Sequence, residues 1–421
     1  LRTETKCLHS GYQPKNGEPL AMPIYQSTTY TYDSTDDIGK LFDLAADGHM
    51  YSRISNPTVA MVEEKLADLE GGVGALCTSS GQMANLIAVM NIASGGDNVI
   101  VDSTIYGGTI NLFGVTLERY GVHTTFVDLS LPDEEIQKHI DDRTKAILGE
   151  TIANPALDVM DIERIANLAH RNGIPLIVDN TFATPFLCRP FEFGADIITH
   201  STTKYLDGHA IQVGGVIIDS GNFDWTNGKF PGLVEPDASY HGVAYVRDFG
   251  KAAYITKARV QLMRDLGAYP QAMTAFLLNL GIESLHVRME RHCRNAERVA
   301  EYLAAHEKVE SVNYPYLKDN RFYPLAQKYL PNGCSGVISF CIKGGKENAV
   351  RFMDSLKLAV NVVHVAAART MVLHPASATH RQLTDEQLVA AGISPGMIRF
   401  SVGIENIDDI LEDIEQALAS V

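Results

Sequence analysis

Short β-branched runs recur along the middle of this chain with helical stretches between them, and that alternation restricts the fold more than any other feature. The runs are DNVIVD at 97–102, HTTFVD at 123–128, TKAILGE at 144–150, IPLIVDN at 174–180, ADIITHS at 195–201 and VGGVIID at 213–219. Segments such as IERIANLAHRNG at 162–173 carry helical periodicity between them. Strands this apolar are covered on both faces, so the pattern predicts an α/β fold with a mostly parallel sheet. Ligands of such sheets bind beyond the carboxyl ends of the strands, and reactive residues are expected in the loops there.

The flanking regions read differently. Residues 1–56 include YQSTTYTYDS and YSRISNPT, show little helical periodicity, and predict an extended N-terminal arm that packs on another domain or another subunit. Residues 57–281 form the predicted large domain. It is interrupted at 220–262 by an excursion containing GNFDWTNGKFPGLVEPDASYHG and the only Trp. Loops this long are functional or disordered, and the functional reading here is a cover over the mouth of the site. Residues 282–421 form a smaller α+β domain. Its closing helix places Ile407, Ile410, Leu411, Ile414 and Leu418 on one face. At about 100–200 residues per domain, 421 residues suit this division.

Charge and cysteine usage exclude several classes of function. With 35 Lys+Arg against 51 Asp+Glu the formal net charge is −16, so no general attraction to nucleic acid or an anionic membrane is expected. An anionic ligand must instead be held by a local group of donors. No apolar run approaches the ~20 residues that span a bilayer, and LRTETKCLHSGY lacks the apolar core of a signal peptide. The six cysteines are scattered without a CxxC pair, which argues against a disulfide framework or a zinc site and makes a reducing cytoplasm the simplest compartment.

Lys204, in HSTTKYLDGH, follows the run ADIIT and lies among hydroxyl and glycine residues. A surface lysine is one reading. A partly desolvated lysine with a lowered pKa, able to form a Schiff base, is the other. Asp179 ends the run IPLIVD, where it serves as a cap or as a carboxylate facing the ligand crevice. Together the two suggest pyridoxal phosphate, whose ring nitrogen needs an acid to keep it protonated. Ser79, Ser80 and Gly81 open an apolar helix, either as a plain N-cap or as a phosphate site. Arg53, with Tyr51 on the arm, is a second phosphate candidate, shared between subunits if the arm crosses. Tyr106, in DSTIYGGT, stacks on a planar ring or fills the core. Asn154, in ETIANP, is a donor to the phenolic oxygen of that cofactor. Arg399, in GMIRFSVG, and Arg369, in AARTMVLHP, compete as the receptor of a substrate carboxylate, with Arg399 the less solvated.

The motifs YSRxxNPT, SSGQ, YGGT, ExxxNP, VDNTFATP, HSxTKY, HPAS and IRxSVGIE, in this order along nearly the whole chain, resemble the Cys/Met-metabolism family of pyridoxal-phosphate enzymes. The resemblance implies the fold-type-I transferase architecture, a large cofactor domain plus a smaller C-terminal domain, in dimers that share active sites and pair into a homotetramer. It implies Lys204 as the Schiff-base lysine, Asp179 as the partner of the ring nitrogen and Tyr106 as the stacking ring. Gly81, Gln82, Ser201 and Thr203 would bind the phosphate, with Tyr51 and Arg53 from the other subunit. Asn154 would contact the phenolic oxygen, Arg399 would bind the substrate carboxylate, and Thr370 would help orient it. Tyr106 and Tyr51 would assist proton transfer, and no metal is needed. YGGTINLF and the FPGLVEPDASYHG excursion are similar to the branch that exchanges the acetate of O-acetyl-L-homoserine for sulfide or a thiol, giving L-homocysteine or methionine. Methionine γ-lyase and cystathionine γ-synthase or lyase reactions are the alternatives. Methionine γ-lyases carry a cysteine where this chain has Gly108, and Ala366–Ala367 replaces a Gly-Asp or Gly-Gly pair common in the family.

Overall fold

In a computed structural model, which describes residues 1–378, 381 and 393–421, all six expected runs are strands. With a further strand they make one seven-stranded sheet: β1 (Gly74–Thr78), β2 (Asn98–Asp102), β3 (His123–Val127), β4 (Thr144–Glu150), β5 (Leu176–Asp179), β6 (Ile197–Ser201) and β7 (Gly215–Asp219). The spatial order is β1-β7-β6-β5-β4-β2-β3. Strands β2 to β6 are mutually parallel, and β7 runs antiparallel to both its neighbours. The strand β1, GALCT, has almost no β-branched residue to mark it; pairing with β7, from Gly74 opposite Asp219 to Thr78 opposite Gly215, defines it.

Alternate residues of these strands divide between two apolar cores. Ile100, Ile147, Val178, Ile198 and Val216 face one, which continues into the C-terminal region. Val101, Leu148, Ile177, Ile197 and Ile217 face the other. Residues 220–262 roof that second core. Trp225, Phe230, Leu233, Tyr245 and Tyr254 are buried there, with Trp225 stacked on Tyr254 at 5.1 Å between ring centroids. The excursion is thus a packed aromatic layer of short helices, and no residue of it lines the cavity of the site in this chain. Its aromatic groups are committed to the sheet, so within this chain the excursion does not cover the chain's own cavity.

The C-terminal region forms a second sheet from β8 (Val309–Asn313), β9 (Val337–Ile342), β10 (Val360–Asn361), β11 (Met371–Leu373) and β12 (Met397–Ser401), in the order β10-β11-β12-β9-β8. The helices Leu285–Ala305 and Gly345–Ser355 pack on it, and the helix Ile407–Leu418 packs on those two helices. The arm is not extended throughout. Thr3–His9 is a helix docked on the large sheet's core through buried Cys7, whose carbonyl accepts from Lys65 Nζ at 2.9 Å, and Lys6 pairs with Asp68 at 2.8 Å. A second helix, Thr35–Phe42, is capped by Ser34. All six cysteines are free, and five are buried. Among the described residues no helix is long and apolar enough to cross a membrane.

Candidate active site

Strand direction decides where the polar groups gather. Parallel β4, β5 and β6 deliver Glu150, Asp179 and Ser201 at their carboxyl ends. Both Thr78 and Ser201 lie opposite Gly215, so β1 ends at the same edge and releases its chain into the helix Gly81–Met90. Two glycines allow the close approach. A Cβ on Gly81 would lie 2.6 Å from Ser201 Cβ, and one on Gly215 would lie 2.3 Å from the Ser80 carbonyl oxygen. Between this edge and β12 lies a cavity of about 270 Å³.

Lys204, Asp179, Tyr106, Gly81, Gln82, Ser201, Thr203, Asn154 and Arg399 all line that cavity. The turn carrying Lys204 is stitched to the start of β7: Thr202 N–H donates to the Gly214 carbonyl at 3.0 Å, and Gly214 N–H donates to Thr203 Oγ1 at 3.1 Å. Burial, with the positive charge of Arg399, pulls the Lys204 ammonium down to about 8. Asp179 Oδ1 accepts from Thr181 Oγ1 at 2.5 Å and Thr181 N–H at 3.1 Å, and Oδ2 accepts from Asn85 Nδ2 at 3.3 Å. At the helix start Ser80 Oγ caps the Met83 N–H at 3.1 Å, while the Gly81 and Gln82 N–H groups have no partner within the helix.

Arg399 is carried by β12, hydrogen-bonded between β11 and β9, and is 8% exposed. Its partners are neutral: Nη1 donates to Asn154 Oδ1 at 3.1 Å and Nη2 to the His364 carbonyl at 3.2 Å. Burial pulls it down to about 10, and with no carboxylate paired to it among the described residues the guanidinium is left to receive an anion from the cavity. Its competitor Arg369 is exposed and does not line the cavity. Thr370 requires a correction. It is buried outside the cavity, with its hydroxyl and its N–H both donating to Glu405, at 2.9 and 2.6 Å, so no donor is left for a substrate carboxylate. Tyr51 and Arg53 do not reach this chain's cavity. Arg53 donates to the Arg264 carbonyl and lies 5.4 Å from the centre of the Tyr51 ring, which is nearly half exposed.

Glu150 and His364 are among the cavity residues that sequence reasoning missed, as are Asn85 and Thr181. Glu150, the first residue of ExxxNP, accepts from Tyr106 N–H at 3.1 Å and Asn154 N–H at 3.0 Å, joining the loops after β2 and β4. Burial and the charge of Asp179 push its carboxyl well above the usual range. His364 offers no local pattern. Burial and the cations Lys204 and Arg399 pull it down to about 4, so it is neutral at pH 7. Nearby, Ala366 holds φ +65°, the left-handed region that favours glycine, anchored by its N–H to Ser401 Oγ at 2.8 Å. At Gly108 a Cβ would lie 2.5 Å from the Tyr106 ring, so a cysteine there would force the ring to move.

Residues 4–419 match the family model for Cys/Met metabolism PLP-dependent enzymes. The chain belongs to that family. It is 44% identical to the O-acetyl-L-homoserine sulfhydrylase of Leptospira meyeri, covering 100% of this chain and 97% of that one. It is 46% identical to the homocysteine synthase of Schizosaccharomyces pombe, covering 99% and 97%. Its fold matches, with a TM-score of 0.96 at 38% identity and full coverage of both chains, a Campylobacter jejuni crystal structure assigned as an O-acetylhomoserine (thiol)-lyase that carries a pyridoxyl-lysine monophosphate. As a family member this chain is a pyridoxal-phosphate enzyme of fold type I. Its residues fit the cofactor: a desolvated lysine, open N–H groups at a helix start made possible by side-chain-free Gly81, and a carboxylate on the same cavity wall.

Proposed function

We propose that this enzyme exchanges the acetate of O-acetyl-L-homoserine for sulfide, giving L-homocysteine and acetic acid. The observation that carries the reading is Arg399, a buried cation without a counter-ion among the described residues, in one cavity with desolvated Lys204. That pair suits an amino-acid substrate, and the full-length relatives named for this chemistry specify which one. When bound, pyridoxal phosphate supplies an electron sink for negative charge at the substrate carbon beside the amine.

Each residue then has a task set by its chemistry. Lys204 would hold the cofactor and, once free, move the Cα proton; with a pKa near 8, an appreciable fraction is the neutral amine at neutral pH. Asp179 would keep the ring nitrogen protonated, and Tyr106 would cover the ring face. The Gly81 and Gln82 N–H groups, with Ser201 and Thr203, would take the phosphate, and Asn154 would meet the phenolic oxygen. Arg399 orients the substrate by its carboxylate. Tyr51 and Arg53 would complete the phosphate site from a second copy, with Tyr51 and Tyr106 assisting proton transfer. Their separation from this chain's own cavity supports that reading, as does an arm largely exposed between its two short helices. The two sheets support a division into an arm at 1–56, a cofactor domain at 57–281 and a C-terminal domain at 282–421. We place the enzyme in the cytoplasm as a homotetramer of such dimers.

The test is product identification with purified holoenzyme, O-acetyl- or O-succinyl-L-homoserine, and sulfide present or absent. Homocysteine formed from the acetyl ester only with sulfide is the expected outcome. Release of 2-oxobutyrate and ammonia as the main products with sulfide present would make the enzyme a γ-lyase instead. Preference for the succinyl ester would change the substrate.

A further inference from the structure

Asp179 carries one charge that must point one way, and the structure shows what aims it. Its cross-strand neighbours are Glu150 on β4 and Thr199 on β6. Thr181 supplies two donors to Oδ1, from the residue two places along the chain. Oδ2 has Asn85 Nδ2, from the second turn of the helix Gly81–Met90. Asn85 is 2% exposed, and its own Oδ1 accepts from Thr199 Oγ1 at 2.6 Å. Thr199 is fully buried beneath the same helix.

The amide orientation in this chain of groups is dictated by its two ends. A hydroxyl serves as donor or acceptor and tolerates either face of an amide. An ionised carboxylate only accepts, so it requires the NH₂ side. The NH₂ of Asn85 therefore turns toward the Asp179 carboxylate and the carbonyl turns toward Thr199, whose hydroxyl donates to it. The helix that bears Asn85 also opens with the N–H groups of Gly81 and Gln82, so one rigid element addresses both ends of the cavity's expected occupant.

We infer that Asn85 and Thr199 are positioning residues: a buried hydroxyl–amide relay that holds the Asp179 carboxylate aimed at the cofactor ring. The inference rests on the assignment of Asp179 proposed above, and its test separates the two. Holoenzymes carrying Thr199→Val, Thr199→Ser, Asn85→Ala and Asp179→Asn are compared with the wild type. One readout is the pH titration of the cofactor's visible band without substrate. A second is the affinity of the apoprotein for pyridoxal phosphate. A third is solvent deuterium exchange at Cα of L-norleucine, whose side chain has no leaving group. Loss of the Asn85 hydrogen bond to the carboxylate predicts exchange slowed by about tenfold or more in Asn85→Ala, and loss of the neutral bond from Thr199 to Asn85 predicts a smaller slowing, on the order of threefold, in Thr199→Val. The band should titrate at a shifted pH, cofactor affinity should fall, and norleucine binding should be little changed. Thr199→Ser restores the hydroxyl and should restore the titration and the exchange rate. If Thr199→Val exchanges and titrates like the wild type, or Thr199→Ser is as impaired as Thr199→Val, the relay is overturned. Slow exchange in Asp179→Asn with a normal Thr199→Val removes the relay alone, whereas normal exchange in Asp179→Asn removes the assignment of Asp179 as well. Should Asn85→Ala not fold, the shape-conserving Thr199 pair decides.

Discussion

Lys204 and Arg399 share one cavity, and both lose most of their hydration there. For Lys204 the pKa falls from the ordinary 10.5 to about 8. Below pH 8 the lysine is charged in both the folded and the unfolded chain, and its burial costs stability in full. Between pH 8 and 10.5 only the unfolded chain holds the proton, so stability rises with pH and the cost fades. Lys204→Met should therefore stabilise the apoprotein at pH 7 by on the order of 1–3 kcal/mol, discounted for partial exposure, with the gain shrinking toward pH 10.5. Denaturant unfolding of both apoproteins at the two pH values measures this. An equal gain at both would assign the effect to packing rather than to the charge.

Among the elements, the helix Gly81–Met90 couples the most functions. Its first turn presents N–H groups to the cavity, its second turn holds Asn85 against Asp179, and Gly81 lets it sit directly on Ser201. The methyl group of Gly81→Ala would meet Ser201 Cβ at 2.6 Å and Cα at 2.8 Å, where a strand backbone cannot yield cheaply. That substitution is expected to cost about 1–3 kcal/mol of stability and to weaken cofactor affinity, seen as loss of the visible band on dilution. Retention of wild-type affinity and stability would show that the helix shifts freely. Across the cavity β12 plays the corresponding part. Hydrogen bonds to β9 and β11 fix the strand that carries Arg399, so the guanidinium is presented by a sheet rather than by a loop.

At the scale of the molecule, the cavity is bounded by two sheets and edged by apolar side chains that this chain leaves in water. Val213 and Val363 line it and are 64% and 72% exposed. The arm residues Tyr51 and Arg53 lie elsewhere in the same chain, although the charge of a phosphate calls for such an arginine. If a second copy supplies them, mixing inactive Arg53→Ala and Lys204→Ala subunits should restore activity, because one site of each hybrid dimer contains neither change. The measurement is homocysteine production after subunit exchange followed by mass spectrometry. Exchange without recovered activity would place both groups in one chain's site.

The sheet was legible in the sequence because its strands are apolar on both faces and punctuated by helices, a property of local order that needs no tertiary contact. Lys204, Asp179 and Asn154 were legible for the same reason, since a reactive type at a strand's carboxyl end faces the ligand side wherever the strand pairs. The strand β1 was not, because Gly74, Ala75 and Cys77 carry no β signal and only pairing with β7, more than a hundred residues away, makes them a strand. The excursion at 220–262 read as a loop because its aromatic groups are spaced irregularly; their common destination is the sheet's second core. The role of Thr370 came from the family resemblance alone, and Glu405, 35 residues further along the chain, takes both its donors. The link from Thr199 through Asn85 to Asp179 spans three segments of chain. Local sequence determined which elements form and which reactive groups stand at their ends. Tertiary structure alone decided which hydrogen-bonding groups remain free for a ligand, because a donor is satisfied or left open only when distant segments meet.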